Sequence, residues 1–134
     1  MCGILVVDDD KDMCRMISSI LKEEGYGVDK AYDEAQAIKK IKTKSYNLII
    51  LDYKLPNTDG INVLKEVRWI KPSPKVIMIS AYGGPSIKSM AKKLGVYRFL
   101  DKPFDLNRLM KTVKGALAKK QGEVDRSSKE TILR

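Results

Sequence analysis

At 134 residues with 43% apolar content, the chain is long enough for one domain with a buried core, too short for two, and too apolar for global disorder. Lys and Arg number 26 against 17 Asp and Glu, a formal charge of +9, and there is no histidine, which excludes imidazole acid–base catalysis, imidazole metal sites and an internal phosphohistidine. No apolar run approaches the ~20 residues that cross a bilayer, and Met1-Cys2-Gly3 leads at once into a strand-like stretch, so the expectation is a soluble cytoplasmic protein without a signal peptide.

The chain opens with Ile4-Leu5-Val6-Val7, a continuous apolar run too short for a helix. Asp10 or Asp12 then caps a helix whose apolar face is Met13, Met16, Ile17, Ile20 and Leu21, with Gly25 as its stop. Tyr26 to Ala31 alternates like an edge strand, and Asp33 opens a second helix through Ala35, Ile38 and Ile41. Leu48-Ile49-Ile50-Leu51 is the third strand; Val63, Leu64 and Val67 mark a third helix before Pro72. Val76-Ile77-Met78-Ile79 is the fourth strand, followed by a helix that starts at Pro85, carries Ile87, Met90, Ala91 and Leu94, and stops at Gly95. Arg98-Phe99-Leu100 is a short fifth strand. Asp105 caps a last helix with Leu106, Leu109, Met110, Val113 and Leu117 on one stripe.

Unbroken β-branched runs suit strands covered on both faces. Five such strands alternating with five helices predict an α/β fold: one doubly wound, five-stranded parallel sheet of order 2-1-3-4-5 with helices on both faces, flavodoxin-like in topology. The domain is expected over residues 1–120, and residues 121–134 read as a polar tail or linker stump. Cys2 and Cys14 have no metal-ligand spacing and read as two unpaired thiols. The lysines fall in separate groups, Lys39 to Lys44, Lys88 to Lys93 and Lys111 to Lys120, without interleaved aromatics. They read as solvated helix faces, and direct nucleic-acid binding is not expected of this segment.

The strand ends carry the chemistry. The first strand stops at Asp8-Asp9, the third at Asp52, the fourth at Ser80 and the fifth at Asp101-Lys102-Pro103. In a parallel sheet these ends share one edge, where ligands bind. Each residue alone has a plainer reading: a helix cap for Asp8-Asp9, a polar turn for Asp52 to Gly60, a strand-end hydroxyl for Ser80, a solvated lysine for Lys102. Asp59-Gly60 reads as no more than a turn. At four of the five strand ends, the coincidence outweighs those readings. Crowded carboxylates repel unless a cation joins them, and Mg²⁺ takes carboxylate oxygens together with phosphate. A carboxylate beside such an ion can take up a phosphoryl group as an acyl phosphate.

The motifs Ile4-Leu5-Val6-Val7-Asp8-Asp9-Asp10, Leu51-Asp52-Tyr53-Lys54-Leu55-Pro56 with Asp59-Gly60, Ile79-Ser80-Ala81 and Asp101-Lys102-Pro103-Phe104 closely resemble those of response-regulator receiver domains of two-component systems. The likeness runs from about Ile4 to Leu117. It implies that Asp52 is the phosphoacceptor. Asp9 would ligate Mg²⁺ directly, with Asp8 as its partner, often through water; Asp52 and the Lys54 carbonyl would complete the protein ligands. Ser80 would be the switch hydroxyl, Phe99 the switch aromatic, and Lys102 the contact to the phosphoryl group, with a cis peptide before Pro103. Lys54 and Tyr82 fall where the family tunes the lifetime of the acyl phosphate. The donor would be a histidine kinase or phosphotransfer protein. The output face would be the fourth helix, fifth strand and last helix, a surface through which a homodimer could also form. Such a domain is not an enzyme on other substrates; it catalyses only its own phosphorylation and dephosphorylation. The alternatives are a flavodoxin-type FMN binder, which would need an uncharged phosphate loop after the first strand, a phosphohydrolase with an aspartyl intermediate, and a receiver segment of a longer transcription factor.

Overall fold

The computed structural model describes residues 3–123. The apolar runs form β1 (Gly3–Val7), β2 (Gly27–Ala31), β3 (Leu48–Asp52), β4 (Lys75–Ser80) and β5 (Arg98–Asp101). They build one parallel sheet in the order β2-β1-β3-β4-β5, as the alternation of strand and helix patterns predicts. Every residue of β3 is buried, whereas β2, at the edge, buries only Ala31.

The crossover helices of the sheet are α1 (Lys11–Glu23), α2 (Glu34–Thr43), α3 (Gly60–Ile70) and α4 (Pro85–Lys93). Because side chains alternate along a strand, Leu5, Val7, Ile49, Leu51, Val76 and Met78 share one face. They join Ala37, Ile38 and Ile41 of α2, Val63, Leu64 and Val67 of α3, and Ala91 of α4 in one buried cluster. The alternate residues, including Ile4, Val6, Ile50 and Ile77, are equally buried on the opposite face, and α1 packs beside β1 and β2. A second unit begins at Asp105. It holds α5 (Leu106–Glu123), where the Asp105 carboxylate accepts the Asn107 N–H at 2.8 Å and the buried Leu109, Val113 and Ala116 fall on one stripe. The greater part of the expected tail, from residue 124 onward, lies outside the described residues, as does Cys2.

Caps and stops sit where the residue types put them. Asp10, not Asp12, caps α1, accepting the N–H groups of Asp12 and Met13; Asp33 and Asp59 cap α2 and α3. Gly25 and Gly95 take positive φ of 95° and 83° just past α1 and α4, a region glycine enters without a Cβ clash.

The helix faces need correction in detail. In α1 the buried residues are Cys14, Ile17, Ser18 and Leu21, while Met16 is 39% exposed. In α2 Ala37 rather than Ala35 is buried, and α4 buries only Ala91. A stretch expected to be a simple loop is also more ordered. Lys54–Leu55 pairs antiparallel with Thr58–Asp59 around Asn57, whose φ of 61° is the left-handed conformation that Asn tolerates.

Arg68 has no signal in the hydrophobic pattern, yet it ties three segments together. Its guanidinium donates to the carbonyls of Leu94, Gly95, Pro72 and Pro74 at 2.7–3.1 Å, joining α3 to the end of α4 and to the loop before β4. Replacing it orphans partly buried carbonyls, so Arg68→Ala is expected to lower unfolding free energy by about 1–3 kcal/mol. Urea denaturation measures this; an unchanged midpoint would show that water replaces the guanidinium without loss.

Candidate functional site

Backbone hydrogen bonds continue the sheet one residue past three strands and so fix where the functional side chains start. Asp8 N–H donates to the Ala31 carbonyl (3.1 Å), Tyr53 N–H to Ile79 (2.8 Å) and Lys102 N–H to Ser80 (2.8 Å). Asp8, Asp52 and Lys102 thereby emerge at the same edge. Asp8 is fully buried, Asp52 is 4% exposed and Asp9 is exposed. One carboxylate oxygen from each of the three lies within 4.8 Å of the other two. Lys102 Nζ donates to Asp52 Oδ2 at 3.2 Å and to Asp8 Oδ2 at 3.4 Å. The Lys102–Pro103 peptide is cis, as expected.

A cleft of about 240 Å³ opens over these groups, lined by Asp8, Asp9, Asp10, Asp52, Lys54, Ala81, Tyr82 and Lys102. Lys54 and Tyr82 meet across its mouth, the ammonium 5.2 Å from the ring centroid. The Lys54 N–H points at Asp52 Oδ1 from 3.4 Å. Ser80 is brought to the same edge but does not line the cleft. Its buried hydroxyl oxygen accepts the Tyr82 N–H at 2.7 Å. Phe99 is half-buried on the α2–α4 side of the sheet, packed against the main core cluster.

The electrostatics are those of crowded acids in a dry place. Burial pushes the Asp8 carboxyl up to about 6; the Asp10 N–H, donating to Asp8 Oδ1 at 3.0 Å, pulls it back, and the Asp52 charge adds to the rise. For Lys102, burial pushes the ammonium down, but Asp52 and Asp8 outweigh that and hold it above the ordinary lysine value. Three carboxylates against one ammonium leave two negative charges, the charge of one divalent ion. An all-oxygen donor set of this kind suits a hard cation such as Mg²⁺. The residues present therefore fit the ion.

Three supports of the site carried no legible signal as such. The Cys14 thiol, buried under β1, donates to the Asp8 carbonyl at 3.2 Å; burial and the Asp8 charge push it up to about 11, so it is an inert prop rather than a nucleophile. Gly60 is more than the expected turn. A Cβ there would lie 2.8 Å from both the Asp52 carbonyl oxygen and Tyr53 Cα, so only glycine lets α3 start against the backbone that presents Asp52. Gly83 is a softer support, since a Cβ there would press on the side chains of Asp101, Lys88 and Phe99 rather than on backbone.

The raised Asp8 value has a definite sign for stability. The folded state keeps a proton that the unfolded chain has released, so metal-free stability falls as pH rises from about 4 to about 6, by roughly 3 kcal/mol in all. Millimolar Mg²⁺ is expected to restore that loss, with a larger gain at pH 7 than at pH 5, and Asp8→Asn to remove both effects. Thermal melts across this range decide it; a Mg²⁺ gain that is independent of pH would separate Asp8 from the ion.

Comparison with known proteins sets this arrangement in context. Residues 4–114 match the family described as the response regulator receiver domain. The chain is 36% identical over 115 residues to the transcriptional regulatory protein ZraR of Klebsiella oxytoca, covering 86% of this chain and 26% of ZraR. It is 37% identical over 115 residues to the chemotaxis protein CheY of Bacillus subtilis, covering 85% of this chain and 96% of CheY. The crystal structure of the response regulator protein TrrA from Thermotoga maritima, in complex with Mg(2+)-BeF, superposes with a TM-score of 0.76 at 33% identity, covering 87% of this chain and 99% of that one. The chain thus spans about a quarter of ZraR and nearly all of CheY.

Proposed function

The chain belongs to the response regulator receiver domain family, a family of signalling domains, and from that premise we propose that Asp52 accepts a phosphoryl group from the phosphohistidine of a partner histidine kinase or phosphotransfer protein. One observation carries the assignment of Asp52. It is the nearly buried carboxylate that sits within 4.8 Å of two further acids and 3.2 Å from the Lys102 ammonium, at the floor of an open cleft.

In this reading an Asp52 oxygen attacks phosphorus as the bond from phosphorus to the donor imidazole nitrogen breaks, and the electron pair leaves with that nitrogen. Asp8, Asp9, Asp52 and the Lys54 carbonyl would hold Mg²⁺, which would supply neutralisation of the phosphoryl oxygens. Lys102, already on the Asp52 carboxylate, orients it for attack and is within reach to pair with the phosphoryl group. Lys54 and Tyr82, touching across the mouth of the cleft, limit the approach of water to the product. The domain catalyses only its own phosphorylation and dephosphorylation.

Readout depends on Ser80. A phosphoryl group brings strong acceptor oxygens and near-dianionic charge to the cleft. The Ser80 hydroxyl gives up the Tyr82 N–H and turns to donate to one of those oxygens. Phe99, on the same side of the sheet, repacks into the space vacated, changing the surface of α4 and β5 offered to a partner, an output domain or a second copy of the chain. The receiver is read over residues 1–120, and α5 runs past that bound to Glu123, so the tail or linker begins after it.

Incubation of the chain with Mg²⁺ and a small acyl phosphate is expected to add one phosphoryl group per molecule by mass spectrometry. Asp52→Asn should abolish the addition while still unfolding in one cooperative transition; continued uptake by that variant would move the nucleophile elsewhere. Lys54→Ala and Tyr82→Ala are each expected to shorten the life of the acyl phosphate, and a decay rate equal to wild type in both would exclude the pair from that role.

A further inference from the structure

Phe99 and Asp101 lie two residues apart on β5, so their side chains leave the sheet on one face, toward α4. There both meet Lys88. The Lys88 ammonium donates to Asp101 Oδ2 at 3.1 Å and stands 5.5 Å from the centroid of the Phe99 ring. The loop between β4 and α4 closes the third side. A Cβ on Gly83 would run into Asp101 Oδ1 and come within 3.1 Å of both Lys88 Cε and Phe99 Cε1. Lys88 of α4, Gly83 of the loop and Asp101 of β5 therefore crowd the ring, and Asp101 stands opposite Ser80 in the strand register. Asp101 is also the direct chain neighbour of Lys102, which binds both buried acids.

We propose that the Lys88–Asp101 ion pair is a latch on Phe99: it holds the ring under the Lys88 ammonium in the unphosphorylated state and opposes the repacking that accompanies phosphorylation. The inference rests on the phosphoacceptor reading of Asp52 and adds what regulates that site. When the ring moves toward the space left by Ser80, the Lys88 ammonium loses its aromatic partner. The latch is weak by construction, because Lys88 and Asp101 side chains are 44% and 59% exposed and salt screens such pairs. A weak latch is suited to a switch, since it biases the two arrangements without forbidding either. It makes every ligand that needs the repacked arrangement spend part of its affinity on opening it.

Calorimetric titration of the full chain with beryllofluoride, a phosphoryl mimic, in saturating Mg²⁺ tests the latch. Lys88→Met and Asp101→Asn are each expected to raise the apparent affinity about three- to tenfold, and the double variant no further, since either change opens the same pair. The gain should shrink at high salt, where the wild-type pair is already screened. Simple long-range electrostatics predicts the contrary: loss of the Lys88 charge weakens binding of an anion and loss of the Asp101 charge strengthens it. Opposite signs in the two variants, additive gains, or no change in either overturns the latch alone. A wild-type chain that binds no beryllofluoride, or an Asp52→Asn chain that binds it equally well, overturns the reading of Asp52 and the latch with it.

Discussion

The Lys102 ammonium, reaching from beyond the edge strand β5 to both Asp8 and Asp52, is the interaction on which the functional edge depends. Two carboxylates buried side by side in a medium of low polarity cannot both stay charged without a counterion. The ammonium offsets part of that repulsion and no more. Asp8 remains pushed up to about 6, and a third acid, Asp9, adds its charge at the rim. The edge is therefore left electrostatically unfinished. A cation that completed it would find oxygen donors already in place and incur little reorganisation, which is what preorganised polar sites contribute.

Around that constraint the parallel sheet acts as a positioning device. Each crossover helix runs antiparallel to its strands, so every helix start lies at the carboxyl edge. The acidic caps Asp10, Asp33 and Asp59 consequently gather at the edge that carries Asp8 and Asp52, and the basic last turns of α2 and α4 gather at the other. Gly60 and Cys14 complete the support, one by letting a helix begin against the Asp52 backbone and the other by holding the carbonyl of Asp8. Near the same edge Ser80 is tied to Tyr82 and Phe99 lies under Lys88.

Legibility tracked burial. Strands covered on both faces must be apolar throughout, and β1, β3 and β4 were readable for that reason. Helices are buried along one narrow stripe, and their faces were read less well. Met16 and Met90 fit the helical period yet are exposed, because only contact with the sheet decides which side of the stripe is covered, and the small Cys14, Ser18 and Ala37 occupy the close approaches instead. The ribbon from Lys54 to Asp59 was hidden for a different reason: its residues are turn formers, and its pairing is only two residues long. Arg68 was invisible because its partners are carbonyls from two other segments, which no side-chain pattern records.

By itself, the order of residues determined the strand and helix succession, the parallel sheet, and the identity of the residues placed at its carboxyl edge. These come from local rules: the period of the apolar residues, the capping residues, and the one handedness that crossovers adopt. Only the tertiary structure decided how near the acids come, that Lys102 spans two of them, that the Ser80 hydroxyl is taken up by the Tyr82 N–H, and that Gly60 sits where a single added carbon has no room. Those outcomes depend on distances between groups up to 94 positions apart in the chain, set by the packing of whole layers rather than by any local preference.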